Sequence, residues 1–413
     1  MRVLIVTQYF WPEPFRINDV AHGLRDLGHE VTVLTGMPNY PEGRFFDGYG
    51  FFGPARDSYD GIPVVRVPIL PRGASGGLRL ALNYLSFVIM GSLLGPLRLR
   101  QKFDAILVYE PSPVTVMLPA LVMRWLRRTP VLFWVQDLWP ESLSATGMVR
   151  SRWVLSVVER MVRFIYRHSD RILIQSQAFR EPIEQLDGAA KKIVFLPNSA
   201  EAFYRPIELE AEALERRLMP EGFRVVFAGN IGAAQSFETI IDAATLLRDQ
   251  PGIQWIVLGD GRMREWAARE VEARGLQGSV HFLGRFAPET MPRFFALADV
   301  LLVTLRRDPI FARTVPGKLQ SYLACGKPIV AALDGEGARV LAEAEAGLAC
   351  PADDPRALAD AIVALYNMPD SERKRIGDRG RAYFETQFER GMLLSRLNRC
   401  IHETVKENDQ CAS

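Results

Sequence analysis

"FRVVFAGNIGAAQSFETIIDAATLL" (223–247) opens with an apolar run, breaks at Gly229 and Gly232, and resumes with apolar residues three and four apart. The run reads as a strand covered on both faces, and the second part reads as a helix with one buried side. A strand passing through a glycine turn into a helix is half of a βαβ unit. The pattern recurs downstream: "IQWIVLGDG", "VHFLG", "ADVLLVTL" and "KPIVAAL" are further strands, followed by a helical tail over roughly 371–405. Upstream, "RVLIVTQYF", "VTVLTG", "IPVVRVPIL", "FDAILVYEP", "VLFWVQDLW", "RILIQS" and "KIVFLPNS" make a second series, with the helix "DVAHGLRDLGHE" ending at Gly28. Between the series, 197–222 has the Pro, Glu and Ala content of a linker.

A chain of 413 residues is too long for one ordinary core. The expected architecture is α/β: two Rossmann-like domains facing each other across a cleft. One spans 1–200 and the other 201–385, with a C-terminal helix in 386–413 returning to the first. In such sheets ligands bind beyond the carboxyl ends of the strands. There "AGNIG" offers close backbone approach at Gly229 and Gly232, and the following helix offers free N–H groups suited to phosphate. "LGDG" repeats the geometry at Gly259, Asp260 and Gly261, and a third helix begins near Pro316 with Arg313 and Lys318 beside it. Each loop alone is equally an ordinary strand–helix turn. Three in one domain make a nucleoside diphosphate the natural ligand, with Arg a fork of donors and Lys a point charge.

Composition narrows the class. With 48% hydrophobic and 24% charged residues the chain is globular. Residues 1–200 carry 23 Lys and Arg against 17 Asp and Glu, and 201–413 carry 27 against 31. That excess, without a basic-aromatic ribbon or finger spacing, gives no nucleic-acid partner. Cysteines 325, 350, 400 and 411 lack CxxC spacing, so a reduced cytosolic chain without disulfides is expected. Histidines 22, 29, 168, 281 and 402 do not cluster, and no metal site is expected. The N-terminus runs straight into a strand and offers no signal peptide.

Eighteen uncharged residues, "LALNYLSFVIMGSLLGPL" (80–97), lie between Arg79 and Arg98. Three readings stay open: a helix packed on its domain, a helix in the bilayer interface, and a membrane span. "RWVLSVVERMVRFIYRH" (152–168) is a second amphipathic candidate with Arg152, Arg160, Arg163 and Arg167 interleaved. Two loops of the first half also invite attention. "TQYFWPEPFRIN" replaces the GxGxxG of a dinucleotide enzyme after the first strand and places Arg16 and Asn18 by a helix start. It is either a rigid surface loop or a wall contacting substrate. In "VQDLWPESL", Asp137 and Glu141 are either helix caps or carboxylates aimed at a ligand.

Five stretches carry a resemblance: "YFWPEPFRINDVAHGLRDLGHEVTVLTGMPNYPEG", "VQDLWPESL", "FAGNIGAAQSFETIIDAA", "LGDG" and "TVPGKLQSYLACGKPIVAALDGEGARVLAEAEAGL". From residue 1 to about 360 the chain resembles glycosyltransferase family 4, retaining enzymes of the GT-B fold. The likeness is greatest to the bacterial surface-polysaccharide group that includes L-fucosamine and colanic acid transferases. The resemblance implies transfer of a sugar, of the N-acetylated amino type, from a UDP-sugar to a polyprenyl-diphosphate-linked sugar, with no cofactor or metal. It implies diphosphate contacts at the two glycine loops, uracil contacts at Arg285 and Phe286, and donor hydroxyls at Glu336, where turn-capping is the plain alternative. On the acceptor side it implies Asp137 as base or orienting group beside Glu141, with Arg16 and Asn18 near sugar or acceptor. The acceptor implies residence on the inner face of the cytoplasmic membrane through 80–97 and 152–168.

This chain departs from the broader family pattern. The two glutamates eight residues apart are Arg313 and Ser321, the usual Arg and Lys of the first glycine loop are Asn230 and Gln235, and the histidine before Asp137 is Gln136. Two cations are lost where one is gained, so charge is read as relocated to Arg313 and Lys318. Gln320 or Ser321 is left for the ribose. Two competing readings remain, a non-catalytic scaffold with a degenerate cleft and a UDP-hexosamine 2-epimerase.

Overall fold

Buried Val, Ile and Leu runs form the strands of two sheets in the computed structural model, which describes residues 1–73, 77–145, 151–187 and 190–412. The chain divides into two compact units, Met1–Pro197 with Leu393–Ser413, and Asn198–Met392.

The first unit holds β1 (Arg2–Val6), β2 (Glu30–Gly36), β3 (Arg56–Tyr59), β4 (Ile62–Val67), β5 (Ala105–Glu110), β6 (Val131–Val135), β7 (Arg171–Ile174) and β8 (Ile193–Phe195). Their order is β3-β4-β2-β1-β5-β6-β7-β8. All neighbours are parallel except the β3–β4 hairpin. Asp60 and Gly61 turn that hairpin with φ of 46° and 85°, the backbone a tight two-residue loop requires. Every residue of β5 and β6 is buried, as a strand covered on both faces demands.

The helix Gly77–Arg98 is held by a stripe four residues apart: Asn83, Phe87, Gly91 and Gly95. A Cβ on Gly91 would lie 2.9 Å from Pro119 Cγ, and one on Gly95 would lie 3.1 Å from Leu34. Small residues therefore let the helix lie close against Met117–Arg127 and β2.

The second unit holds β9 (Phe223–Ala228), β10 (Ile253–Leu258), β11 (Val280–Gly284), β12 (Val300–Thr304), β13 (Ile329–Ala332) and β14 (Gly347–Cys350), ordered β11-β10-β9-β12-β13-β14 and all parallel. Two expectations change here. The stretch read as a linker belongs to this unit from Asn198. Its short helix Leu214–Leu218 is pinned where Glu215 takes both forks of Arg293, at 2.7 and 3.1 Å. The tail is two helices, Asp370–Gln387 and Arg390–Ala412. Glu389 starts the second by accepting from the Gly391 and Met392 amides at 2.7 and 2.6 Å. That helix joins the first unit from Leu393 rather than 386. There Leu394 fills the space over Gly23, and Asn398 Oδ1 lies 2.8 Å from His29 Nε2.

Cys325, Cys350 and Cys400 are buried free thiols, and burial pushes the first two up to about 12. The Cys411 side chain lies outside the described residues.

Candidate active site

Two strand ends of the second unit meet through glycines. After β9 the chain turns at Gly229 (φ 135°), and after β10 at Gly259 (φ 145°) and Gly261 (φ 159°). A Cβ on Gly259 would lie 1.9 Å from Gly229 O, and one on Gly261 would lie 2.3 Å from Ile231 O. The loops are stitched together where Ile231 N donates to Asp260 O (2.8 Å) and Met263 N to Ile231 O (3.0 Å). Only glycine permits this spacing, because both contacts put backbone where a side chain would stand. Asn230 is exposed above the turn, and its amide together with Gln235 closes over Gly232. The Gln235 carbonyl accepts from Thr304 Oγ1, whereas its side-chain Oε1 is buried with no partner among the described residues.

The helix expected just after Gly232 starts later. A single turn, Ala233–Gln235, leads to Ser236 at φ 45°, and the helix runs Phe237–Leu246. Ser236 Oγ bonds Asp353 Oδ1 at 2.5 Å and marks the break. Nearest the glycines, therefore, the chain offers the backbone of the 229–235 turn rather than a helix N-terminus, and of its amides those of Gly229, Ile231 and Gln235 already donate to the Leu258, Asp260 and Gly232 carbonyls.

Lys318 lies against this turn. It sits in the first turn of the helix Gly317–Ala324, which has no side-chain cap. Its Cε and Nζ occupy the space a Gly229 side chain would need, and the ammonium stands 3.6 Å above the Phe227 ring. The residue as a whole is half-buried, yet its nitrogen is out of contact with water and has no hydrogen-bond partner among the described residues. Desolvation pulls the amine down to about 7. A cation kept dry without a counter-ion is costly, unless a ligand supplies the anion.

The remaining expected donor contacts are placed unevenly. Arg313, half-buried, ends the short helix Pro309–Ala312. Glu336 opens the helix Glu336–Glu343, is nearly fully buried, and is clasped by Arg339 through both oxygens at 2.7 and 2.9 Å. Gln320 is fully buried, and Ser321 Oγ donates to Gly317 O at 3.2 Å. Both therefore face the interior of the unit. Arg285 is exposed after Gly284, and the neighbouring Phe286 packs on Phe294 with centroids 4.6 Å apart.

In the first unit Asp137 follows β6. Ser142 Oγ donates to its Oδ1 at 2.7 Å, and desolvation raises its carboxyl against the hydrogen bonds of Ser142 and Ser112. Glu141 begins the helix Glu141–Ala145. Beneath them lies a residue that sequence reasoning missed. Glu110, closing β5, is wholly buried, and its Oε2 accepts from the Gln136 and Asp137 amides, each at 3.3 Å. Its Oε1 has no partner among the described residues. Desolvation, with the Asp137 charge behind it, drives its pKa well up, and burial raises Asp137 as well, so the two acids compete for charge at this strand edge. The available signal was an acid ending an apolar strand at the edge where such sheets bind ligands.

Asn18 is a clamp. Its Oδ1 accepts from Trp11 N (3.1 Å), and its Nδ2 donates to Glu13 O (2.8 Å). Arg16 is the first residue of the helix Arg16–Asp26.

The same unit carries an apolar ridge. On the helix Gly77–Arg98, Leu78, Leu82, Leu85, Ile89, Leu93 and Leu97 repeat along the face away from the packed stripe, and the last two are 61% and 62% exposed. Trp125, on the helix packed beside it, reaches Phe164 (6.2 Å) on the helix Arg152–Arg167. There Trp153, 75% exposed, and Val157 continue the apolar surface.

Family models match two regions, a glycosyl transferase 4-like domain over residues 15–199 and glycosyl transferases group 1 over 222–368. Over 338 residues the chain is 24% identical to WcaI of Escherichia coli (strain K12), which carries the name of a colanic acid biosynthesis glycosyl transferase; 79% of this chain and 82% of WcaI are covered. WbjE of Pseudomonas aeruginosa, named as a glycosyltransferase, is 25% identical over 309 residues, covering 72% and 74%. Among solved structures, Anabaena HepE in complex with UDP and glucose superposes with a TM-score of 0.68 at 19% identity, covering 98% of this chain and all of HepE. WaaG, a glycosyltransferase involved in lipopolysaccharide biosynthesis, gives 0.67 at 15%, covering 97% and 99%. The chain belongs to the glycosyltransferases of the GT-B fold, with a glycosyl transferase 4-like first domain and a group 1 second domain.

Proposed function

We propose that this glycosyltransferase moves a sugar, of the N-acetylated amino class, from a UDP-sugar to a polyprenyl-diphosphate-linked sugar in surface-polysaccharide synthesis, with retention at the anomeric carbon. The name of WcaI supports the polysaccharide setting, and the HepE complex with UDP supports the donor. One observation carries the reading. The second unit keeps a desolvated lysine ammonium, with no counter-ion among the described residues, against Gly229 of the 229–235 turn. A diphosphate seated on the 229–235 backbone would accept from the turn's remaining N–H groups and supply the counter-charge for Lys318. As the glycosidic bond breaks, negative charge grows on the β-phosphate, and Lys318 with Arg313 stabilises it. Asp137, held by Ser142 beside the buried Glu110, serves as base or orienting group for the acceptor hydroxyl.

The acceptor reading rests on the ridge. One face of Gly77–Arg98 is committed to packing along its whole length, so the helix lies in the bilayer interface with Leu85, Leu93 and Leu97 toward the acyl chains. On this reading the protein works at the inner face of the cytoplasmic membrane. The test uses vesicles containing a synthetic polyprenyl-diphosphate-linked N-acetylhexosamine and a set of radiolabelled UDP-sugars. Label from one donor is expected in the butanol-extractable lipid, with UDP released. Consumption of donor with label only in water-soluble products would overturn the lipid acceptor, and an epimerised donor would favour the epimerase reading.

A further inference from the structure

The loop after β4 carries a cation that the reading above leaves unused. Arg72 N donates to Asn39 Oδ1 at 3.0 Å. Asn39 is wholly buried and is itself fixed by Glu13, whose Oε1 accepts from the Asn39 and Tyr40 amides at 2.8 and 2.7 Å. Gly73 N continues the tie by donating to Gly43 O at 2.9 Å. The backbone that presents Arg72 is therefore built in, not loose.

Its guanidinium stands 5.0 Å from the centre of the Tyr40 ring, and Nη1 lies 3.5 Å from the Tyr9 hydroxyl. Tyr9 stacks on Phe15 with 5.2 Å between centroids and 10° between planes, and Phe15 meets Tyr40 at 5.1 Å. Tyr84 joins from the apolar helix. It hydrogen-bonds Tyr9 and feels the charges of Arg72, Asp137 and Glu110. Burial keeps both phenols protonated, Tyr84 up to about 12. They are therefore hydrogen-bond donors. Among the described residues no carboxylate pairs with Arg72. Arg66, wholly buried, is by contrast held by Asp57 at 3.1 Å.

We propose that Arg72, the hydroxyls of Tyr9 and Tyr84, and the faces of Phe15 and Tyr40 form the subsite for the acceptor's diphosphate ester, the guanidinium taking its non-bridging oxygens and the rings its first sugar. A planar fork suits phosphate oxygens, and aromatic faces suit the C–H face of a sugar. Five residues beyond Arg72 the helix Gly77–Arg98 begins, and its exposed stripe starts at Leu78. The anion subsite and the lipid-facing ridge thus share one segment, as a diphosphate bearing an apolar tail would need. The inference rests on the acceptor part of the proposed function and is independent of the donor part.

Full-length protein saturated with UDP is titrated calorimetrically with geranyl diphosphate, geranyl monophosphate and inorganic diphosphate. Geranyl diphosphate is expected to bind most tightly. Arg72→Gln should weaken it at least tenfold, and Arg72→Lys less, while the Kd for UDP stays within twofold as evidence of intact folding. Equal binding by wild type and R72Q overturns the assignment. So does no binding of geranyl diphosphate to wild type that still binds UDP. Inorganic diphosphate binding as tightly as geranyl diphosphate would make this a site for a soluble phosphate and overturn the lipid acceptor here.

Discussion

Lys318 ties the donor reading to a titration. Its folded value of about 7 lies below the ordinary 10.5 because burial disfavours the charged amine. The unfolded chain therefore holds this proton between those values when the native chain does not, and the destabilisation present below about 7 is relieved as pH rises toward 10.5. A bound diphosphate reverses the balance by supplying the missing counter-charge. At pH 8 UDP binding should take up close to one proton, at pH 6 little, and affinity should fall as pH rises above 7. Calorimetry in buffers of different ionisation enthalpy reads the uptake, and Lys318→Met should abolish it. Part of this was legible. Arg313 and Lys318 stand out as basic residues where the family pattern has an acid and a helix start. That Lys318 lies dry beneath Gly229 follows from packing that no local spacing encodes, and the inward turn of Gln320 and Ser321 likewise depends on the helix rotation.

At the scale of elements, the helix Gly77–Arg98 was ambiguous in sequence because its apolar residues surround it. The structure sorts them into a packed stripe and an exposed one. Transferring a half-exposed leucine into lipid recovers roughly 1 kcal/mol, and each nearby Arg or Lys adds about 1 kcal/mol at an anionic surface. Wild-type protein should float with vesicles containing a third phosphatidylglycerol, and Leu85→Glu with Leu93→Glu should reduce the floated fraction at least tenfold without changing UDP affinity. Equal flotation of both proteins would remove the ridge from the membrane. Long apolar strands were readable from their runs. The hairpin strand β3 was not, since "RDSY" has no apolar run and depends on the Asp60–Gly61 turn. β14 was missed because a four-residue strand opening on Gly347 is visible only through its pairing with β13.

For the whole molecule, the basic first half and acidic second half follow the division of labour proposed: a unit carrying the membrane ridge and acceptor groups, and a unit carrying the glycine loops. Two alternating βα series were enough to see both sheets, whereas no periodicity in the tail says which unit its last helix joins. The crossing point at Leu393 was not legible, because the tail reads as one continuous helix until Glu389 is seen capping a new one. The central claim is that the second unit still binds a nucleoside diphosphate although two family glutamates are Arg313 and Ser321. The direct measurement is the affinity of purified protein for UDP, GDP, ADP and TDP, with Arg313→Ala alongside. Selective UDP binding, weakened at least tenfold by R313A, is the result this account predicts. No binding of any nucleotide by the wild-type chain would contradict it and make the glycine loops a relic of a degenerate scaffold.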